Sequence, residues 1–353
     1  MKEQILLIFI LSSSITLTTI SSENIPISNI LKTSPSCTIF TVSIGNTVLF
    51  GNNEDYLQLK SYLWYVPSQN ISVIGGNRSI YGGVFIGYVD EEIGGLWPQG
   101  GMNEHGLMYD GNGLPPVFLN ENPNGSSFYI EAEIVSSLWD CRNVEEVIEW
   151  FKIHKWNGTI TGQLHYGDAS GEAVVVSVNP STNKWAFTRK TGNYIVSTNF
   201  NLNDTDNSYS YPCGRYLTAT RMLNQIENEE DLTIQACADV LYAVHQEGMY
   251  RTIYSNIFDP VNLNIYFNYG ESYQKQKKVN LLDVLNQESS FEKLNITENT
   301  GVESHILIKS VEIDDQFYFS STTSLPPPVY AIILALCVIS ITLRIYIYKK
   351  KVK

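Results

Sequence analysis

Val329–Tyr348 is an almost unbroken run of about 20 apolar residues, and no other feature limits the architecture of this chain as strongly. A helix of that length rises about 30 Å, the thickness of bilayer hydrocarbon. Arg344 is its single charge, close enough to the end to snorkel toward the headgroups. Lys349, Lys350, Lys351 and Lys353 follow, and such basic flanks stay cytoplasmic. The breaker run Pro326-Pro327-Pro328 in front argues against a buried core helix. At the other end, Lys2, the apolar run Ile5–Leu11 and a Ser/Thr-rich stretch to Ser22 have the layout of a secretory signal peptide. The two ends together predict a single-pass type I membrane protein. Its globular part then lies outside the cell or in the lumen of the secretory or endolysosomal pathway, with residues 349–353 as a basic cytoplasmic tail.

The formal charge is −13, and the five cations at the C-terminal end have no acid among them, so the rest carries about −18. That excludes nucleic acid as a partner. Of the five cysteines, Cys337 lies in the apolar run, and Cys37, Cys141, Cys213 and Cys237 fall in an oxidising compartment. One disulfide among the last three is expected, with its pairing open. Sequons at Asn70, Asn77, Asn124, Asn157, Asn203 and Asn295 fit secretion without requiring it.

Residues 23–36 read as a short connector ending in Pro35-Ser36. CTIFTVS then alternates, Gly45-Asn46 supplies a turn, and TVLFGN returns, which predicts a β-hairpin over Cys37–Phe50. Strands are expected at Ser61–Tyr65, Val84–Tyr88 and Met108–Gly111, and helices at Ser127–Asp140 and Val144–His154. Strands follow at Gly162–Tyr166, Glu172–Asn179, Lys184–Arg189 and Asn193–Thr198. Helices at Gly214–Gln225 and Leu232–His245 then precede strands at Thr252–Asp259 and Leu263–Tyr269. Blocks of strands separated by pairs of helices suggest stacked layers, not βαβ units. The predicted domain spans residues 37–270, and the polar residues 271–328 read as an extension and stalk.

The chain lacks a Gly-x-Ser-x-Gly elbow, a His-Glu-x-x-His pair, a Cys-x-x-Cys pair and a Gly-rich phosphate loop. Its histidines are scattered, and nothing singles one out as a base. Cys37 remains. A free thiol is a poor nucleophile at neutral pH unless a base or a positive charge adjoins it. Were the chain cut between Ser36 and Cys37, the new α-amine would be that base, since its unperturbed pKa is about 7.7–8.0. Taken alone, a cysteine opening a strand reads more readily as structural or disulfide-bonded.

The neighbourhood of Cys37 weighs the other way. CTIF, GNNEDY, GGMNEHGL, DASGE, STNF and CGRY, in that order, resemble the choloylglycine hydrolase and penicillin V acylase group. These are linear-amide hydrolases of the N-terminal-nucleophile superfamily, to which acid ceramidase-like proteins also relate. The resemblance covers residues 37–270 and implies a four-layer αββα sandwich that needs no metal or organic cofactor. It implies Cys37 as nucleophile and base, Asp55 holding the α-amine, and Asn112 as oxyanion-hole donor. It further implies Asn199 orienting the site and Arg215 favouring the thiolate.

The sequence departs from the pattern at three places. Bile-acid members carry Arg where this chain has Asn52, which would instead donate a hydrogen bond. Apolar Val174–Val176 and Ser177 replace an expected Glu, and Asn199 and Arg215 stand closer together. These departures bear on substrate more than on reaction class. The expected reaction is hydrolysis of a small-molecule linear N-acyl amide, and the alternatives are acyl transfer on the same scaffold or an inactive tethered binding protein. Gly100, Gly101 and Gly106 would shape the pocket rim around an Asn103-Glu104 turn. Tyr62, Trp64, Tyr65, Trp97 and Tyr109 read either as an acyl pocket or as ordinary core.

Overall fold

The computed structural model describes residues 37–313, except 57–59, 74–75, 91–94, 122–125, 128–135, 209, 269–272, 274–275, 288–289 and 298–302. The expected signal peptide (residues 1–22), the connector over residues 23–36 and the apolar run at residues 329–348 lie outside the described residues. Among those described, no helix is long and apolar enough to cross a membrane.

The chain begins with β1 (Thr38–Ile44), β2 (Thr47–Asp55), β3 (Ser61–Val66), β4 (Gln69–Val73), β5 (Gly76–Ile80) and β6 (Gly83–Asp90). It continues through β7 (Gly95–Asn103), β8 (Met108–Glu121), β9 (Ser126–Ser127), α1 (Val144–Ile153) and β10 (His154–Gly167). Next come β11 (Ala173–Asn179), β12 (Lys184–Arg189), β13 (Tyr194–Ser197), α2 (Gly214–Leu223) and α3 (Ile234–Ala243). The described chain closes with β14 (Thr252–Asp259), β15 (Asn264–Asn268), β16 (Lys277–Asn280), α4 (Leu281–Leu285), β17 (Glu292–Thr297) and β18 (Glu303–Ile313).

The smaller sheet has the order β13-β1-β2-β14-β15-β16, and the larger runs β12-β11-β10-β8-β7-β6-β3-β18-β17. Their facing sides share one core, in which Ile39, Phe50 and Phe258 meet Leu63, Val84, Ile86 and Met108. Helices α2 and α3 cover the outer side of the smaller sheet, where Ala219, Leu223 and Leu241 pack on Phe40, Val42 and Ile257. Leu138, Val147, Ile148 and Phe151 cover the larger sheet over Trp64, Tyr109, Val174 and Val176. Helix, sheet, sheet and helix therefore stack as the expected four layers.

Local chemistry explains the boundaries. Asn143 caps α1 by accepting from the Glu146 N–H at 2.9 Å, and Glu145 and Glu146 occupy its positive end. Gly45 turns the β1–β2 hairpin at φ +60°, where a Cβ would lie 2.0 Å from the Glu229 carboxylate. That carboxylate binds the Asn46 N–H and the Thr47 hydroxyl, tying the hairpin to the segment before α3.

Two expectations need correction. Residues 277–313 are not simply an extension: β16 pairs with β15, and β18 pairs with β3. Leu281 and Leu285 of α4 enter the core between the sheets. Without β18, the wholly buried β3 would be left as an edge strand. Cys141, Cys213 and Cys237 are all free, so no disulfide joins them. Cys141 and Cys237 are buried in cores on opposite sides of the molecule. Of the aromatics, Tyr62, Trp64, Tyr65 and Tyr109 are core residues, and the side chain of Trp97 falls outside the described residues. Of the sequon asparagines, Asn70, Asn77, Asn157 and Asn203 are exposed.

Candidate active site

Cys37 stands one position before β1 and is only 4% exposed. The β1–β2 register pairs Thr38 with Asn53, so the next rung sets Cys37 against Glu54. The Cys37 thiol donates to Glu54 Oε2 at 3.4 Å, and the main-chain N–H of Asp55 bonds to the sulfur. The other Glu54 oxygen accepts from the Gln99 side-chain amide. Gln99 in turn accepts from the Tyr254 hydroxyl at 3.3 Å, and Tyr254 stands opposite Glu54 on β14. Asp110, on β8, is fully buried and accepts from the Gly111 N–H at 2.7 Å. A Cβ at Gly100 would lie 2.3 Å from Asp110 Oδ2, so this glycine makes room for the acid.

Arg215 closes the site from α2. Its Nη1 donates to the Cys37 carbonyl oxygen at 2.5 Å and to Thr38 Oγ1 at 2.8 Å. Its Nη2 donates to Asn199 Oδ1 at 2.9 Å. The carboxylate of Asp55 accepts from the Thr252 hydroxyl and stands 3.8 Å from Arg215. Asn199 also donates to the carbonyl oxygen of Gly113 at 3.0 Å, which pins the loop after β13 to β8. Four of the five expected residues, Cys37, Asp55, Asn199 and Arg215, thus form one linked group. Asn112 lies on β8 between Asp110 and Gly113, buried, with neither atom of its carboxamide paired among the described residues.

One expected role differs in detail: Arg215 reaches the carbonyl oxygen of Cys37, not its sulfur. Asn52 donates a hydrogen bond, to Asn256 Oδ1 at 3.4 Å. Burial, then the charges of Glu54 and Asp55, push the Cys37 thiol well above its ordinary range, against the Asp55 N–H that lowers it. Burial also lifts the Glu54 carboxyl to about 8, with the thiol contact pulling the other way. Asp110 is raised as well, by burial first and by Glu54 second. His165 is no substitute base: its ring is buried between Thr41 and Ser197, and burial lowers its pKa to about 3.

The sequence reading missed Glu54, Gln99, Asp110 and Tyr254. A signal was present in GNNEDY, where four polar residues continue a strand whose other side chains are apolar. A polar run inside a buried strand must find partners.

A family model described as acyl-coenzyme A:6-aminopenicillanic acid acyl-transferase matches residues 42–274. The chain belongs to this family. The match begins just after Cys37 and spans both sheets. Among solved structures, a variant of conjugated bile acid hydrolase from Clostridium perfringens aligns with TM-score 0.58 and 16% identity, covering 84% of this chain and 100% of that one. A second variant of that enzyme gives 0.54 and 17%, covering 70% and 93%. Penicillin V acylase from Agrobacterium tumefaciens gives 0.51 and 17%, covering 66% and 83%. No curated protein matches the chain. Family and fold together place it among the N-terminal-nucleophile linear-amide hydrolases and acyl-transferases, as the motif order implied.

Proposed function

We propose that this protein hydrolyses the carbon–nitrogen bond of a small linear N-acyl amide through a thioester on Cys37, after the chain is cut before that residue. The observation that carries this reading is the convergence on Cys37 of the Asp55 N–H at its sulfur and the Arg215 fork at its carbonyl. In the uncut chain the thiol is held protonated by burial and by carboxylates, and has no α-amine beside it to serve turnover. Cutting replaces an amide nitrogen with an α-amine. As ammonium it lowers the thiol pKa, and as free amine it takes the thiol proton.

The Cys37 sulfur then attacks the substrate carbonyl, the C–N bond breaks, and the amine leaves with that proton. Water cleaves the thioester and releases the acid. Asp55 holds the new ammonium, the Asn112 carboxamide donates to the developing oxyanion, and Asn199 keeps Arg215 in place. The terminal segments 1–22 and 329–348 would put this reaction on a membrane, outside the cytosol. The family description favours a second reading, in which an amine takes the acyl group in place of water.

N-terminal sequencing and intact mass of the mature protein test the proposal, with Cys37→Ala as control. A mature chain that begins within residues 22–36, with no species starting at Cys37, overturns it. So does full amidase activity in the variant. Adding a free amine and weighing the products separates hydrolysis from transfer.

A further inference from the structure

The cut before Cys37 poses a chemical problem. While Ser36 and Cys37 are joined, the Cys37 nitrogen is an amide and has no useful basicity, so the base that serves turnover does not yet exist. We infer that Glu54 is the general base for cleavage of the Ser36–Cys37 bond by Cys37 itself. This inference rests on the proposed role of Cys37 as nucleophile.

Asp55 gives the sulfur its N–H while its carboxylate accepts from the Thr252 hydroxyl, and Arg215 is occupied by the Cys37 carbonyl oxygen, Thr38 and Asn199. Glu54 Oε2 is the oxygen that accepts from the thiol, at 3.4 Å. Gln99, itself held by the Tyr254 hydroxyl, donates to the opposite oxygen, so the carboxyl cannot turn away without breaking that chain of bonds. His165, the one buried imidazole near β1, is already spanned by Thr41 and Ser197. Burial raises carboxyl and thiol alike.

The step balances without a co-reactant other than water. Glu54 takes the thiol proton, and the Sγ–C bond to the Ser36 carbonyl forms. The Ser36–Cys37 C–N bond breaks, and the proton passes from Glu54 to the departing nitrogen, which becomes the α-amine. Water then hydrolyses the thioester, its hydroxyl going to Ser36 and its proton to sulfur. Glu54 serves the cut, and the amine it liberates serves turnover.

The test uses the full chain, synthesised in a cell-free system with microsomes, and follows cleavage before Cys37 by mass spectrometry. The parent rate should rise with pH through about 8, as Glu54 loses its proton. Glu54→Gln should cleave about 100-fold more slowly or worse and lose that pH dependence, and Glu54→Asp should recover part of the rate. In a second pair of chains an enterokinase site replaces residues 32–36, exposing Cys37 without self-cleavage. On Glu54→Gln, hydrolysis of a fluorogenic N-acyl aminocoumarin by these chains should fall by a smaller factor than the cut does. Cleavage of Glu54→Gln at the parent rate, a parent chain that stays uncut, or equal losses in both assays overturns the inference. An enterokinase-exposed parent chain no more active than its Cys37→Ala control overturns the proposed function instead.

Discussion

Cys37 and Glu54 meet one position beyond the Thr38–Asn53 rung of the β1–β2 hairpin, with the thiol 3.4 Å from the carboxylate oxygen. The pair is buried, and Asp110 adds a third acid to it. The folded chain therefore keeps a proton on Glu54 up to about pH 8, whereas the ordinary carboxyl value is 4.5. Between those values the unfolded chain has lost a proton that the folded chain still binds, so stability falls as pH rises through that window. Thermal melts at about pH 5 and about pH 8 measure the drop, which should shrink in Glu54→Gln. A Cys37→Ala background prevents cutting and removes only a contact that lowers this pKa.

Asn112 carries a buried carboxamide with neither atom paired among the described residues, a state that costs about 1–3 kcal/mol per polar group. Replacing it with the similarly shaped Leu should leave stability unchanged or raise it. The same change should lower kcat about 100-fold or more by removing the oxyanion donor. Denaturant titration and single-turnover kinetics on one preparation check both halves. A stability loss with normal kcat assigns Asn112 a packing role.

Arg215 joins Cys37, Thr38 and Asn199 through a planar fork. Arg215→Lys keeps the charge but cannot satisfy three oxygens from two rigid nitrogens. It should lower kcat about 100-fold through misplacement of Cys37. The stability loss should be about 1–3 kcal/mol. A normal kcat in the lysine variant would mean that charge alone is required.

A chain ending at residue 270 loses β16 and β18 and opens an edge on each sheet. It should aggregate or bind hydrophobic dye, while a chain ending at residue 325 should fold. Size-exclusion chromatography with circular dichroism distinguishes the two.

Much of the layering was legible because it rests on local pattern. Lys184–Arg189 and Thr252–Asp259 have the limits their alternation predicts, and Asn143 caps α1 as its position before two glutamates suggests. Met108–Gly111 proved too short an estimate: β8 runs to Glu121 through Pro115-Pro116, because pairing with β10 sustains it. Residues 277–313 were misread for the same reason, since β18 is specified by the place waiting beside β3 and not by a strong pattern of its own.

The sequence by itself determined the family, and the order of motifs pointed to Cys37, Asp55, Asn199 and Arg215, which the fold links, with Arg215 reaching Cys37 and Asp55 across distant parts of the chain. Only the tertiary structure decided the electrostatics around the sulfur. Whether a carboxyl beside Cys37 is charged depends on how much water two packed sheets exclude and on which acids they bring together. Glu54 and Asp110 are 56 residues apart in sequence, yet both are buried and the Glu54 charge raises Asp110, and no local pattern encodes that proximity.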